Sequence, residues 1–158
     1  MQQKRNAVLA LLAEYEKAIH ELQATIADIT SDDLIAIRDQ TTTNTNCLSI
    51  QTILSHVVSS GYSYCIYIRN QKCIDVKQLE KRFHNSVTGY KDDLDAVIEY
   101  TKNTFGSIYD QELEVYDNSK KMITSWGQLY DIEQLMEHAI VHILRHRRQI
   151  EQFKKIGI

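Results

Sequence analysis

The sequence predicts an all-α protein, built as a bundle of four long helices. The 158 residues contain no proline and only five glycines, so the residues that usually interrupt helices are scarce. Apolar residues recur at steps of three and four over long stretches, which is the helical period. A chain of this length suffices for one domain with a substantial core. We therefore expect a single domain over residues 1–158.

The first long helix is predicted near the start of the chain, where eight apolar residues share one stripe. These residues are Val8, Leu11, Leu12, Tyr15, Ile19, Leu22, Ile26 and Ile29. Residues 30–33 read Thr-Ser-Asp-Asp and offer N-cap residues for a short turn through Ile37. Residues 41–46 are rich in threonine and asparagine and have no helical period. We predict a loop there.

The second long helix is predicted from Ser49, as its N-cap, to about Arg69, followed by a connection over residues 70–76. Its apolar side comprises Ile50, Ile53, Leu54, Val57, Val58, Tyr64, Cys65 and Ile68. A third helix is predicted from Val87. An earlier start at Val76 is also open, and the helix includes Gly89 at a modest cost in helix propensity. Its apolar stripe comprises Tyr90, Leu94, Val97, Ile98, Thr101, Phe105 and Ile108.

Residues 110–128 alternate polar and apolar side chains, a pattern that fits either a short hairpin or an irregular crossover. The fourth long helix is predicted from Asp131 to about Lys155. Its apolar stripe comprises Ile132, Leu135, Met136, Ala139, Ile143, Ile150 and Phe153.

The fourth helix carries three histidines at four-residue steps, His138, His142 and His146. Measured from the centre of the apolar stripe, His146 lies about 30° away, His142 about 70° and His138 about 110°. We therefore predict that His146 and His142 face inward or along a helix seam and that His138 faces outward. Two histidines at this spacing can direct their ring nitrogens at one divalent metal ion.

The spacing alone leaves alternatives open, because such pairs also occur as histidines that bind no metal. Neither His138 nor His142 is followed directly by glutamate, which argues against the HExxH metalloproteases. No Glu-x-x-His occurs in the sequence, which argues against a carboxylate-rich di-iron bundle. A mononuclear, histidine-rich site remains. The neighbouring Arg145, Arg147 and Arg148 fit either a solvated basic helix end or an anion-binding role.

Composition narrows the classes of partner. A net charge of −3 gives no general electrostatic reason to expect nucleic acid or an anionic membrane as the main partner. Cys47, Cys65 and Cys73 lack metal-site spacing, so we expect reduced thiols, with Cys65 in the core. We see neither a signal peptide nor a membrane-spanning apolar run, and expect a cytoplasmic protein with a small-molecule or protein partner.

Two segments of the sequence carry histidine motifs. Residues 142–150 read His-Ile-Leu-Arg-His-Arg-Arg-Gln-Ile, and residues 49–56 read Ser-Ile-Gln-Thr-Ile-Leu-Ser-His. The first resembles the terminal HxxxHRxQI signature of the DinB/YfiT-like family of metalloenzymes, and the second resembles that family's motif on the second helix. Both occur in the family's order, so the resemblance covers essentially the whole chain. It implies a four-helix bundle with long crossover connections, in which His56, His142 and His146 hold a divalent ion, often zinc or nickel, with one position open.

The sequence departs from the family pattern in one place and raises one conflict. The family usually has a tryptophan just before the second-helix motif, where this chain has Cys47 and Leu48. His56 lies about 130° from the apolar stripe of its helix, so periodicity alone predicts an exposed residue. It shares that face with Ser49, Ser60, Ser63 and Tyr67. We interpret this face as the lining of a hydrated cavity.

The resemblance implies hydrolysis or thiol transfer on a small-molecule substrate, with a low-molecular-weight thiol as a candidate cosubstrate. We expect a possible homodimer only because homodimerisation is common in similar bundles. The alternative is a metal-free helical module for binding or dimerisation, without catalytic activity. We further expect His20 and His84 at the surface, and Trp126 as a hydrophobic plug. Tyr15 and Tyr90 are expected as packing residues.

Overall fold

The computed structural model describes residues 4–156, and it confirms the prediction of an all-α protein. Four long helices account for most of this range, with one short helix and a two-stranded hairpin between them. In chain order the elements are α1 (Asn6–Thr25), α2 (Ser31–Ile35), α3 (Ile50–Gln71), α4 (Val87–Thr104), β1 (Met122–Ile123), β2 (Leu129–Tyr130) and α5 (Ile132–Ile156). Single 3₁₀ turns punctuate the connections.

The four long helices enclose one hydrophobic core. Helix α1 packs against α4 and α5, and α3 packs against the same two helices from the other side. The predicted apolar stripes fill the space between them, with Leu22, Leu54, Leu94 and Leu135 fully buried. None of the helices within residues 4–156 combines the length and apolarity needed to cross a membrane.

Side-chain caps fix where the helices begin. Ser49 is the N-cap of α3, as predicted: its Oγ accepts the Thr52 N–H at 3.1 Å, and Thr52 Oγ1 accepts the Ser49 N–H at 3.0 Å. Thr30 caps the short helix α2, since its Oγ1 accepts the Asp33 N–H at 3.1 Å. At α5, one carboxylate oxygen of Asp131 accepts the Gln134 N–H at 2.9 Å. The starts of the two helices that carry His56 and His142 are therefore fixed by local hydrogen bonds.

The third helix does not extend back to Val76, the earlier of the two starts that the sequence left open. Helix α4 begins at Val87 with Ser86 as its N-cap, and residues 74–84 form an irregular connection. Leu79 and Phe83 in this connection are exposed, so no apolar stripe would have anchored a helix there. His84 is half-buried instead of lying freely at the surface as expected, because its Nε2 lies 2.7 Å from a carboxylate oxygen of Asp93.

Both alternatives for residues 110–128 occur, one after the other. The chain first crosses over through 3₁₀ turns at Asp110–Glu112 and Asn118–Lys120, and then forms the antiparallel β1–β2 hairpin. Gly127 at the hairpin tip has φ +85°, a conformation that favours glycine. The Ser125 N–H donates to the Tyr67 hydroxyl at 2.8 Å, which attaches the tip to α3.

Candidate metal centre

Three histidine rings converge where α3 packs against α5. The Nε2 atom of His142 lies 3.0 Å from that of His56 and 3.2 Å from that of His146. One ring nitrogen from each residue lies within 4.8 Å of the other two, so the three are close enough to hold a metal ion. The structure thus brings together the three residues that the family resemblance implied, one from α3 and two from α5.

The spacing of two of the three nitrogen pairs fits a first-row divalent ion. With zinc–nitrogen bonds of about 2.05 Å, two ligands of one ion are about 2.9 Å apart at a right angle and about 3.3 Å apart at the tetrahedral angle. The separations of 3.0 and 3.2 Å fall between these values. The third pair, His56 and His146, is only within 4.8 Å, whereas two ligands on opposite sides of one ion are about 4.1 Å apart. Binding of one ion by all three rings therefore requires the His56 and His146 nitrogens to lie closer together.

Proton counting also favours a cation among the rings. His146 places its Nδ1 3.1 Å from the amide oxygen of Gln149, which can only accept, so this nitrogen carries the proton. The Nε2 of His146 is then unprotonated, and its lone pair faces His142. A proton on the Nε2 of His142 could be donated to His56 or to His146, but not fully to both. In a neutral cluster, one of the two close nitrogen–nitrogen contacts therefore lacks a good hydrogen bond. A cation bound between the rings would remove this unfavourable contact.

Burial keeps these imidazoles in the neutral form that binds metal. Burial is the main reason why the pKa of His142 is lowered to about 3 and that of His56 to about 4, and the neighbouring His146 contributes to both shifts. Burial likewise lowers the pKa of His146, while its hydrogen bond to Gln149 opposes the shift. Arg145 adds a positive charge that disfavours protonation of all three. At neutral pH the charged imidazolium form is therefore disfavoured at all three ligands.

Polar neighbours orient two of the rings. Gln149 lies one helical turn beyond His146 and holds its Nδ1, as outer hydrogen-bond partners do in metal sites. Ser60 lies one turn beyond His56, with its Oγ 3.5 Å from the Nδ1 of that ring. The spacing of three residues from His146 is the sequence signal that points to Gln149.

A cavity of about 610 Å³ opens beside the cluster, a size suited to a small molecule. His56 and His142 form part of its wall. Ser60, Ser63 and Tyr67 from α3 line it too, as expected for the polar face of that helix, whereas Ser49 is buried as the helix cap. Periodicity alone predicts an exposed His56. Its side chain is half-buried instead, because it lies in the wall of this cavity.

The expectations for His138 and Trp126 need correction. His138 does not face outward into solvent: its half-buried ring lines the cavity and stacks on Trp126, with ring centroids 5.2 Å apart. Trp126 is not a buried plug, since its side chain is 44% exposed and lines the cavity from the hairpin tip. The hairpin folds back toward α3 and α5, a tertiary arrangement that helical periodicity does not report.

Sequence reasoning missed the contribution of the connection between α3 and α4. Gln78 and Lys81 line the cavity, and Gln78 accepts a hydrogen bond from the Ser63 hydroxyl at 3.0 Å. No motif or period marks these two residues. Arg145, whose role the sequence left open, also lines the cavity.

The remaining sequence expectations have mixed outcomes. His20 is exposed as predicted, and Tyr15, Tyr90 and Cys65 are buried in the core. Arg147 is not simply solvated, because it forms ion pairs with Glu21 of α1 and Glu151 of its own helix.

Comparison of the chain with protein-family models, with curated proteins and with solved structures finds no match. The resemblance to the DinB/YfiT-like family therefore rests on the two histidine motifs of the sequence alone.

Proposed function

We propose that this protein is a metal-dependent enzyme of the DinB/YfiT-like type, a four-helix bundle in which His56, His142 and His146 hold one divalent ion. Zinc and nickel are the metals that the family resemblance favours. The observation that carries the proposal is the convergence of three ring nitrogens from two helices, at separations of 3.0 and 3.2 Å for the two closest pairs. Imidazole nitrogen suits both of these metals.

A site with three protein ligands leaves a coordination position free, which is typical of catalytic rather than structural zinc. When bound, such an ion lowers the pKa of a water or thiol at that position and so supplies a nucleophile at neutral pH. His56 and His142 line the cavity of about 610 Å³, so a substrate in the cavity would lie beside the centre. This supports hydrolysis or transfer of a thiol to a small molecule.

The chain's own residues have distinct roles in this proposal. His56, His142 and His146 act as neutral ligands, and Gln149 orients His146 through its Nδ1 proton. Tyr64 and Trp126 line part of the cavity with aromatic rings. Burial raises the pKa of Tyr64, so its hydroxyl stays protonated and can serve as a hydrogen-bond donor.

Metal analysis of the purified protein tests the proposal directly. After incubation with zinc or nickel and removal of free ion, we expect close to one equivalent bound, and a rise in melting temperature that EDTA reverses. His142→Ala should lose the bound metal, whereas His20→Ala, on the exposed side of α1, should retain it. Less than about a tenth of an equivalent in the unaltered protein contradicts the proposal and favours the metal-free binding module.

A further inference from the structure

The cavity beside the three histidines has a charge that differs from that of the whole chain. Its thirteen lining residues include Lys81 and Arg145 and no carboxylate, although acidic residues outnumber basic ones by 21 to 18 in the sequence. The smaller cavity between α1 and α5 differs, since Glu14 and Glu21 line it together with Lys17. The positive character is therefore a local property of the cavity at the candidate metal centre.

Neither cation is neutralised by a neighbouring acid. Among residues 4–156, no carboxylate oxygen lies within 4.0 Å of the charged nitrogens of Lys81 or Arg145. Among the other cations of α5, Arg147 pairs with Glu21 and Lys154 with Asp28, whereas Arg148 and Lys155 have no carboxylate within 4.0 Å among residues 4–156. Lys81 is held in place by the amide oxygen of Asn46, at 2.5 Å, which leaves its charge uncompensated. The two uncompensated charges reach one cavity from different elements, the α3–α4 connection and α5.

The rest of the lining is suited to the body of an organic molecule. Trp126 and Tyr64 lie edge to face with ring centroids 6.4 Å apart and provide an apolar wall. The hydroxyls of Ser60, Ser63 and Tyr67 provide hydrogen-bond partners on the α3 side. A wholly inorganic ligand would have no apolar part to pack against these aromatic rings.

We propose that the substrate of this site carries an oxyanion group, bound by Lys81 and Arg145, on an apolar or aromatic body that packs against Trp126. This inference rests on the proposed function, since it names the substrate class of the same cavity. Arg145 can bind an oxyanion through two parallel N–H donors, and Lys81 adds a compact charge. A divalent ion held by three neutral histidines adds positive charge to the same region and strengthens the preference for an anion.

Because Trp126 is the one tryptophan of the chain, its indole N–H gives a single NMR signal that reports on the cavity. The test uses the full-length, ¹⁵N-labelled protein after EDTA treatment, titrated at constant ionic strength with phenylacetate, phenylphosphonate and the neutral phenylacetamide. We expect at least one oxyanion to bind at least about fivefold more tightly than the amide. The ratio between the two oxyanions identifies the preferred group as carboxylate or phosphonate.

Charge variants identify the residues responsible. Arg145→Gln and Lys81→Gln should each abolish most of the preference for the oxyanion, and Arg145→Lys should keep part of it. Arg148→Gln is the matched control, since it removes the same charge from an exposed position of α5 that does not line the cavity. Equal affinities for the three probes overturn the proposal, and so does an equal effect of Arg148→Gln and Arg145→Gln.

The two proposals can fail separately, because this titration uses metal-free protein. Metal binding without a preference for oxyanions refutes the substrate class alone. A preference for oxyanions in a protein that binds no metal refutes the metal centre, and leaves an anion-binding cavity.

Discussion

The Nε2 atoms of His56 and His142 lie 3.0 Å apart, although 86 positions separate the residues in the chain. The contact exists because α3 and α5 pack directly against each other. His56 is on the polar face of α3, while His142 borders the apolar stripe of α5, so the two side chains meet where the core gives way to the cavity.

Gln149 should determine how tightly a metal is bound without being a ligand itself. Gln149→Ala removes the acceptor that holds the Nδ1 proton of His146, and we expect metal affinity to fall at least about tenfold. Gln152→Ala, at an exposed position of the same helix, should leave affinity unchanged. Isothermal titration with zinc measures both, and equal affinities for the two variants contradict an orienting role.

The metal-free protein should lose stability as the pH falls. The folded-state pKa values of His142 and His56, about 3 and about 4, lie below the ordinary value of 6.5. Between these values the unfolded chain binds protons that the folded protein does not, so the free energy of unfolding decreases with decreasing pH. Each fully affected histidine contributes up to about 1.4 kcal/mol per pH unit, and the partly exposed His56 contributes less.

Urea unfolding in EDTA, from about pH 7.5 to about pH 4.5, measures this loss. The double variant His56→Gln/His142→Gln is the control, since it retains the carboxylates that also titrate near the lower limit. Its stability should fall less steeply over the same interval. Parallel curves for the two proteins show that the histidines do not cause the loss.

Gly61 should be required for the close packing of α3 and α4. A Cβ atom at this position would lie 2.6 Å from Val97 Cγ1 and 3.0 Å from the Tyr15 hydroxyl, and both neighbours are buried. Gly61→Ala should therefore lower the free energy of unfolding by about 1–3 kcal/mol, despite the better helix propensity of alanine.

Gly106→Ala is the comparison for this effect, because no atom lies within 4 Å of its added Cβ. That variant should be neutral or up to about 1 kcal/mol more stable. Denaturant unfolding of both variants checks the difference, and a neutral Gly61→Ala contradicts the packing argument.

The Tyr90 hydroxyl should stabilise the junction of α3, α4 and their connection. It lies 2.6 Å from the Ser55 hydroxyl, donates to the Gln51 carbonyl at 3.1 Å and accepts the His84 N–H at 3.2 Å. Tyr90→Phe removes this partner from the buried Ser55 hydroxyl and from two half-buried backbone groups, which should cost about 1–3 kcal/mol in thermal or urea unfolding. Tyr116→Phe, at a side chain that is 89% exposed, should have no measurable effect. A Tyr90→Phe protein as stable as the unaltered chain would refute this assignment.

Much of the fold follows from local sequence. The apolar period locates the long helices, and Ser49 and Asp131 were identified as the residues that start α3 and α5. These features depend on residues a few positions apart, which is why a single sequence reveals them. The backward extension of α4 fails for a related reason, because propensity allows a helix before Val87 but no packed partner stabilises one.

The inward direction of His142 and His146 was determined by the sequence alone, through their angle to the apolar stripe of one helix. The place of His56 beside them, and the arrival of Trp126, Lys81 and Arg145 at one cavity, were decided only by the tertiary structure. Helical periodicity relates residues on a single helix, whereas the cavity is formed by two helices, a hairpin tip and an irregular connection. Their mutual positions depend on packing between elements distant in sequence, which no local pattern encodes.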